Sequence, residues 1–247
     1  MSSLPRSVDR GSVACVRQAL DETEIEVTEE QCELLARHLD LVLSYNERLN
    51  LTRITNPVEA SYLHVADSLL LLSAVGEAPR GMLLDMGTGA GFPGIPLAIV
   101  TGRKTVLVDS VRKKVTAVDE FVRELNLGRR VATEATRVEE LARRRRGGFA
   151  VVTARAVAQS NVLVEYAAPL LCRGGRLVVA KARPTQEELD AADRAAKLCG
   201  MKHVSRETFE LPGDRGHRET IVYERVGNPS IKLPRNTGMA QHHPLGV

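Results

Sequence analysis

Apolar residues recur at helical spacing over the first third of the chain and at strand spacing over most of the rest, with the change at Gly81. From Val8 to about Gly76 the pattern predicts helices. Thr28 with Gln31 three residues on has the form of a capping box, and Leu35, Leu39 and Val42 then fall on one face. Asn56-Pro57-Val58-Glu59 is a second start signal, with Asn at the cap and Pro at the first helical position. The helix that follows is expected to run through His64 and Asp67 into Leu69 to Leu72. The polar segment from Tyr45 to Thr52 reads as a helix end and turn.

Beyond Gly81, strands alternate with helices. Met82-Leu83-Leu84-Asp85 is a short apolar run closed by a carboxylate. Thr105 to Val108 is a second, ending at Asp109, after which Ser110 is expected to cap a helix with its apolar stripe at Val111, Val115, Val118, Val122 and Leu125. Val131 to Ala135 and Phe149 to Thr153 follow, then Arg176 to Ala180, preceded by a turn at Gly174-Gly175. Thr185 and Glu188 cap a further helix, and His203 to Glu210 with Glu219 to Glu224 form a closing hairpin. The expectation is an α/β fold: a doubly wound, mostly parallel seven-stranded sheet with a reversed edge strand. The corresponding division is a helical extension over 1–76, an α/β domain over 77–226 and a basic, flexible tail over 227–247. The tail, Pro229 onward, lacks periodicity and is expected to be extended and mobile until bound.

The first strand runs directly into Met86-Gly87-Thr88-Gly89-Ala90-Gly91-Phe92-Pro93-Gly94. Strand, tight glycine turn and helix in succession form the junction at which open α/β sheets bind nucleotides, because backbone N–H groups there must approach a ligand without an intervening Cβ. Gly89-x-Gly91-x-x-Gly94 meets the dinucleotide pattern, whereas Asp85-x-Gly87-x-Gly89-x-Gly91 suits the amino acid and ribose of S-adenosylmethionine. A nicotinamide enzyme needs a proton donor, a substrate pocket and usually a second domain, for which few residues remain. A cofactor carrying its own electrophile fits better. The acids are spaced for it: Asp85 under the methionine end, Asp109 at the ribose, Glu139 beside the adenine.

Thr153-Ala154-Arg155-Ala156 follows the fourth strand where amino-group methylases of bases carry an Asp- or Asn-Pro-Pro-aromatic motif. Carbon methylation calls for a cysteine nucleophile near the ligand, and Cys172 reads instead as a buried helix residue. A ring nitrogen with its own lone pair, such as guanine N7, requires neither device. Composition adds little. The net charge is +3, and aromatic residues at 3% leave few stacking platforms for a loose single strand, so a folded RNA is favoured. The cations Arg143 to Arg146 read as a solvated helix end. Cys15, Cys32, Cys172 and Cys199 lie far apart, arguing against a metal or disulfide framework. The Met1–Arg6 start lacks a signal core and the longest apolar run, Leu69 to Leu72, is too short for a bilayer, so a cytoplasmic protein with no membrane contact is expected.

The chain resembles the RsmG/GidB family, which methylates guanine N7 in bacterial small-subunit ribosomal RNA. The resemblance rests on Asn50-Leu51-Thr52, His64-x-x-Asp67-Ser68, the glycine turn with Pro93 and Pro96, Leu107-Val108-Asp109-Ser110, Arg137-Val138-Glu139-Glu140, Arg155-Ala156, and Pro234-Arg235 to Pro244-Leu245. It departs from the family's usual residues at Leu63, Ala154, Ala182, Asn236 and His242-His243. It implies a Rossmann-like class I methyltransferase domain whose Gly87, Phe92, Val138, Glu139 and Arg155 contact S-adenosylmethionine, with Asp109 on the ribose. Arg155 and Lys181 are the implied catalytic candidates. Asn50, Thr52, His64, Lys181, Lys232 and Arg235 are implied to face 16S ribosomal RNA, in the 530-loop region, within the small subunit or its precursor. A monomer is expected. Two alternatives remain at this point: a small-molecule methyltransferase using the same cofactor, and a ribosome-assembly factor with no catalysis.

Overall fold

The computed structural model describes residues 10–247; Met1–Arg6 and the start of the helical stretch at Val8 lie outside the described residues. Strands β1 (Leu83–Met86), β2 (Thr105–Asp109), β3 (Val131–Ala135), β4 (Phe149–Arg155), β5 (Leu171–Lys181), β6 (Met201–Leu211) and β7 (Gly216–Arg225) form one sheet in the order 3-2-1-4-5-7-6. β1 to β5 pair with one another in parallel. β7 runs antiparallel to both β5 and β6, so the reversed strand sits one place in from the edge, which β6 occupies.

Strand periodicity sorts the core into two layers. Leu83, Leu107, Val131, Val151, Val178 and Val222 pack on one face with helices α2 (Glu29–Asn46), α6 (Gly94–Thr101) and α7 (Arg112–Glu124). Leu84, Met86, Val106, Val108, Val152, Val179 and Tyr223 pack on the other with α9 (Ser160–Ala167) and α10 (Gln186–Leu198). With both faces covered, the central strands are almost wholly apolar. The edge strand β6 instead alternates, its exposed positions including Lys202, Arg206 and Glu210, which discourages pairing with another chain.

Both capping signals hold: Thr28 and Gln31 close a reciprocal box, and the Asn56 side chain accepts from Glu59 N–H. The helical run from Pro57 to Gly76 is not continuous. It passes from α3 (Pro57–Ala60) through a π-helical turn (Ser61–Ala66) to α4 (Asp67–Leu69), breaks, and resumes as α5 (Leu72–Gly76). By length and mean hydropathy, 1.3, it is the one helical run among the described residues apolar enough to cross a bilayer, but 61% of it is buried inside the fold, and it carries Glu59, His64 and Asp67. It is a core element between α1 (Arg10–Glu22) and the sheet.

Four local expectations are corrected. Ser110 does not cap α7: Asp109 Oδ1 accepts from Val111 N–H at 2.8 Å, and Val111 is the cap residue. Gly174-Gly175 is no turn before β5 but a bulge within it, between the pairs Phe149 with Leu171 and Val151 with Arg176, and Cys172 is therefore a strand residue. The Arg143–Arg146 cluster, at the end of α8 (Val138–Arg144), is not simply solvated, since Arg146 donates to Leu233 O at 2.6 Å. The tail is docked rather than loose. Leu233 and Ala240 are buried, Arg235 grips the buried Glu165 with two hydrogen bonds, and Asn161 donates to Leu245 O.

Candidate functional site

The C-terminal ends of β1, β2, β3 and β4 open on a cavity of about 420 Å³. Strand order reverses between β1 and β4, and a crevice at that switch point is where such sheets bind ligands. Gly87, Thr88, Gly89 and Phe92 line it from the first turn, Asp109 from the second, Val138 and Glu139 from the third, and Arg155 from the fourth.

The glycine turn is pinned across the sheet, with Gly87 and Thr88 N–H both donating to Val108 O at 2.8 and 2.9 Å. Gly87 has φ +73°, and a Cβ there would lie 2.5 Å from Val157 Cγ2. Two residues expected at the ligand stand behind the turn instead. Asp85 is wholly buried and absent from the lining; Oδ2 accepts from Gly94 N–H and Oδ1 from the Thr153 hydroxyl, each at 3.0 Å. Burial pushes its carboxyl above the usual range, against these hydrogen bonds. Gly91 (φ +95°) faces α2 and α6: a Cβ would meet Ile95 Cδ1 at 2.6 Å and His38 Nε2 at 3.0 Å. Its lack of a side chain serves packing.

Asp109 does line the cavity and ties two turns together, Oδ1 to Val111 N–H and Oδ2 to Gly89 N–H at 3.2 Å. Glu139, in the first turn of α8, is buried and accepts from Gly238 N–H of the tail at 2.8 Å.

At the mouth, Arg155 Nη1 makes a 2.7 Å ion pair with Asp67 Oδ2 and also donates to Leu63 O and His64 O. Asp67 Oδ1 holds a second guanidinium, Arg218 Nε, at 2.8 Å. Arg155 thus spends Nη1 on the helical extension, while its Nε and Nη2 have no hydrogen-bond partner among the described residues. Its guanidinium lies 5.6 Å from the Phe92 ring centroid. Phe92 in turn contacts His64 (4.9 Å, stacked) and His38 (4.4 Å). Burial, then Arg155, lowers the His64 pKa to about 4, and burial lowers that of His38 to about 3, so both rings are neutral near pH 7. His38 Nε2 accordingly donates to Ala90 O at 3.0 Å, and His64 Nε2 pairs with the Thr52 hydroxyl at 2.8 Å.

Of the residues expected to face RNA, Thr52 and His64 line the cavity, and Asn50 and Lys232 are exposed outside it. Lys181 is not at the cavity: Nζ is held by Glu188 at 2.7 Å and Ala158 O at 2.8 Å. Arg235 is committed to Glu165, its charge neutralised within the fold. Sequence reading missed Tyr166 and Gln241, which line the cavity from α9 and the tail. Tyr166 is buried in an apolar helix and Gln241 lies in an aperiodic segment, so neither carries a pattern. His38 did carry one, as a polar residue beside the α2 stripe Leu35, Leu39 and Val42.

The residues fit a nucleoside bearing an amino-acid tail. The volume is ordinary for a small-ligand site, two carboxylates stand at or just after the ends of successive strands, and the buried Thr88 hydroxyl, in the lining, meets hydrogen-bond geometry with no partner among the described residues. Among the described residues no group of three or more His, Cys, Asp or Glu is placed to hold a metal.

A family model described as rRNA small subunit methyltransferase G matches residues 31–218. The chain is 38% identical over 224 residues to the ribosomal RNA small subunit methyltransferase G of Carboxydothermus hydrogenoformans, covering 90% of this chain and 94% of that one. It is 37% identical over 245 residues to the protein of the same name from Deinococcus radiodurans, covering 98% and 96%. Among solved structures it is similar to the Burkholderia thailandensis 1,6-didemethyltoxoflavin-N1-methyltransferase, with S-adenosylhomocysteine bound (TM-score 0.55, 18% identity, 82% of this chain and 92% of that one). It is also similar to the [4+2]-cyclase SpnF (TM-score 0.52, 18% identity, 66% and 82%). A methyltransferase and a cyclase on one scaffold make these two a statement about fold alone.

Proposed function

This chain belongs to the rRNA small subunit methyltransferase G family, and from that premise we propose that it transfers a methyl group from S-adenosylmethionine to N7 of a guanine in the 530-loop region of bacterial 16S ribosomal RNA. The observation that carries the reading is the cavity at the switch point, where the glycine turn, Asp109, Glu139 and Arg155 converge from four successive strand ends.

The cofactor supplies an electrophilic methyl on a sulfonium. The chain supplies orientation. Gly87 and Gly89 allow backbone to approach the amino-acid portion, and Arg155 offers Nε and Nη2 to its carboxylate. Asp109 accepts from the ribose hydroxyls, and Val138 and Glu139 border the base. Guanine N7 would form the new bond to the methyl with its own lone pair as the methyl–sulfur bond breaks and the neutral thioether S-adenosylhomocysteine leaves. N7 loses no proton, so no general base is needed, and a neutral His64 at the mouth is consistent with this. Keeping His64 uncharged also avoids adding a cation where the methylated purine becomes positive. Thr52 and His64, with Asn50 outside, are the residues through which the extension meets the RNA. We assign Lys181 a structural part, given its ion pair with Glu188. The working unit is a cytoplasmic monomer acting on the small subunit or its precursor.

The test is positional. N7-methylguanosine renders RNA cleavable by aniline after borohydride reduction, so 16S RNA treated with the protein and cofactor should break at one nucleotide in the 530 loop. A methylated but uncleavable product would refute N7, and cleavage elsewhere would refute the loop.

A further inference from the structure

The tail contributes to the cavity in a way that neither its composition nor the family match announces. It is fastened at several points: Arg235 to Glu165, Leu233 O to Arg146, Leu245 O to Asn161 and Gly246 O to Arg194. Leu233 and Ala240 are 3% and 2% exposed. Between these anchors the chain turns at Gly238, φ +83°, into the short helix Met239–His242. The turn delivers the Gly238 N–H to Glu139 Oε1 at 2.8 Å, and the helix places Gln241 in the cavity lining beside Val138, Glu139 and Tyr166.

We propose that the docked C-terminal segment is a wall of the cofactor site and helps to recognise the adenine: Gln241 contacts the base, and Gly238 positions Glu139 to accept from the exocyclic amino group. The proposal rests on the cofactor reading given above. Only Oε1 of Glu139 is engaged by the described residues, so Oε2 is available to a ligand donor. A carboxylate fixed by a backbone N–H keeps one oxygen oriented without a second side chain. The Gln241 amide can donate to a ring nitrogen or accept from the amino group. Removal of the tail would therefore expose the base end of the site.

The test compares the full-length chain with Gln241→Ala and Gly238→Pro; the second removes the N–H and forbids the positive φ. Calorimetric titration uses S-adenosylhomocysteine and its analogue with a carbonyl oxygen in place of the 6-amino group, while thermal unfolding without ligand checks the fold. Each variant should bind S-adenosylhomocysteine about five- to tenfold more weakly, the loss of one or two hydrogen bonds. The unaltered chain should prefer the amino compound to the carbonyl analogue, and Gly238→Pro should shrink that preference, which a purely structural role would not do. Unaltered affinity and preference in both variants would overturn the proposal while leaving the cofactor reading intact. Failure of the unaltered chain to bind either compound would overturn the cofactor reading, and the wall with it.

Discussion

Phe92 shows how single residues are coupled at this site. Its ring contacts both His38 and His64, which are neutral because burial opposes their charging. Their pKa values lie below the ordinary histidine value of about 6.5, so on acidification the unfolded chain takes up these protons first. Stability is fully present above pH 6.5 and falls as pH drops toward 4, at about 1.4 kcal/mol per pH unit for each ring. Urea unfolding between pH 7 and 4.5 should show this slope, and His38→Phe should reduce it; an unchanged slope in that variant would contradict the burial argument. Gly87→Ala places a Cβ against Val157 and strains a positive φ. The strain should cost roughly 1 to 2 kcal/mol, and, because the turn borders the ligand, calorimetry should show cofactor affinity at least about tenfold weaker. At this scale the sequence was informative about types and less so about directions. The glycines and three acids stood out, but Asp85 and Gly91 look alike whether they face ligand or protein, and only the neighbours Gly94, Thr153 and His38 decide that they face protein.

Between elements, the main joint is Asp67. Nearly buried on α4, it holds Arg155 from β4 and Arg218 from β7, while Arg215 near the hairpin turn pairs with Glu59 and lies over the Tyr62 ring. The helical extension is thereby fixed to both β4 and the closing hairpin. Asp67→Ala would leave two partly buried guanidiniums without their shared carboxylate and should destabilise the protein by about 3 kcal/mol. Asp67→Asn, which retains an acceptor oxygen, should cost less. Denaturant unfolding of the two variants checks this order, and equal, small losses would contradict it. Elements with strong local signals were legible: the Thr28, Asn56 and Thr185 caps all accept the predicted N–H. The π-helical turn, the β5 bulge and the docked tail were not, because each depends on partners remote in sequence. Arg235 finds Glu165, for example, 70 residues away.

Across the whole molecule, the helical extension, the strand ends and the tail all border one cavity. Leu51, Thr52 and His64 come from the first, the glycine turn and acids from the second, and Gln241 from the third. The α/β alternation was readable because period-2 and period-3.6 patterns differ over many residues. Closure of the site by the helical extension and the tail was not, since the cavity exists only once the sheet has formed. The most direct test of the account is transfer of labelled methyl from S-adenosylmethionine to small ribosomal subunits isolated from cells lacking this protein, with the product nucleoside identified by mass spectrometry. The account predicts label in 7-methylguanosine and none in other nucleosides. Cofactor binding with no label in the RNA, or label in a different nucleoside, would contradict it.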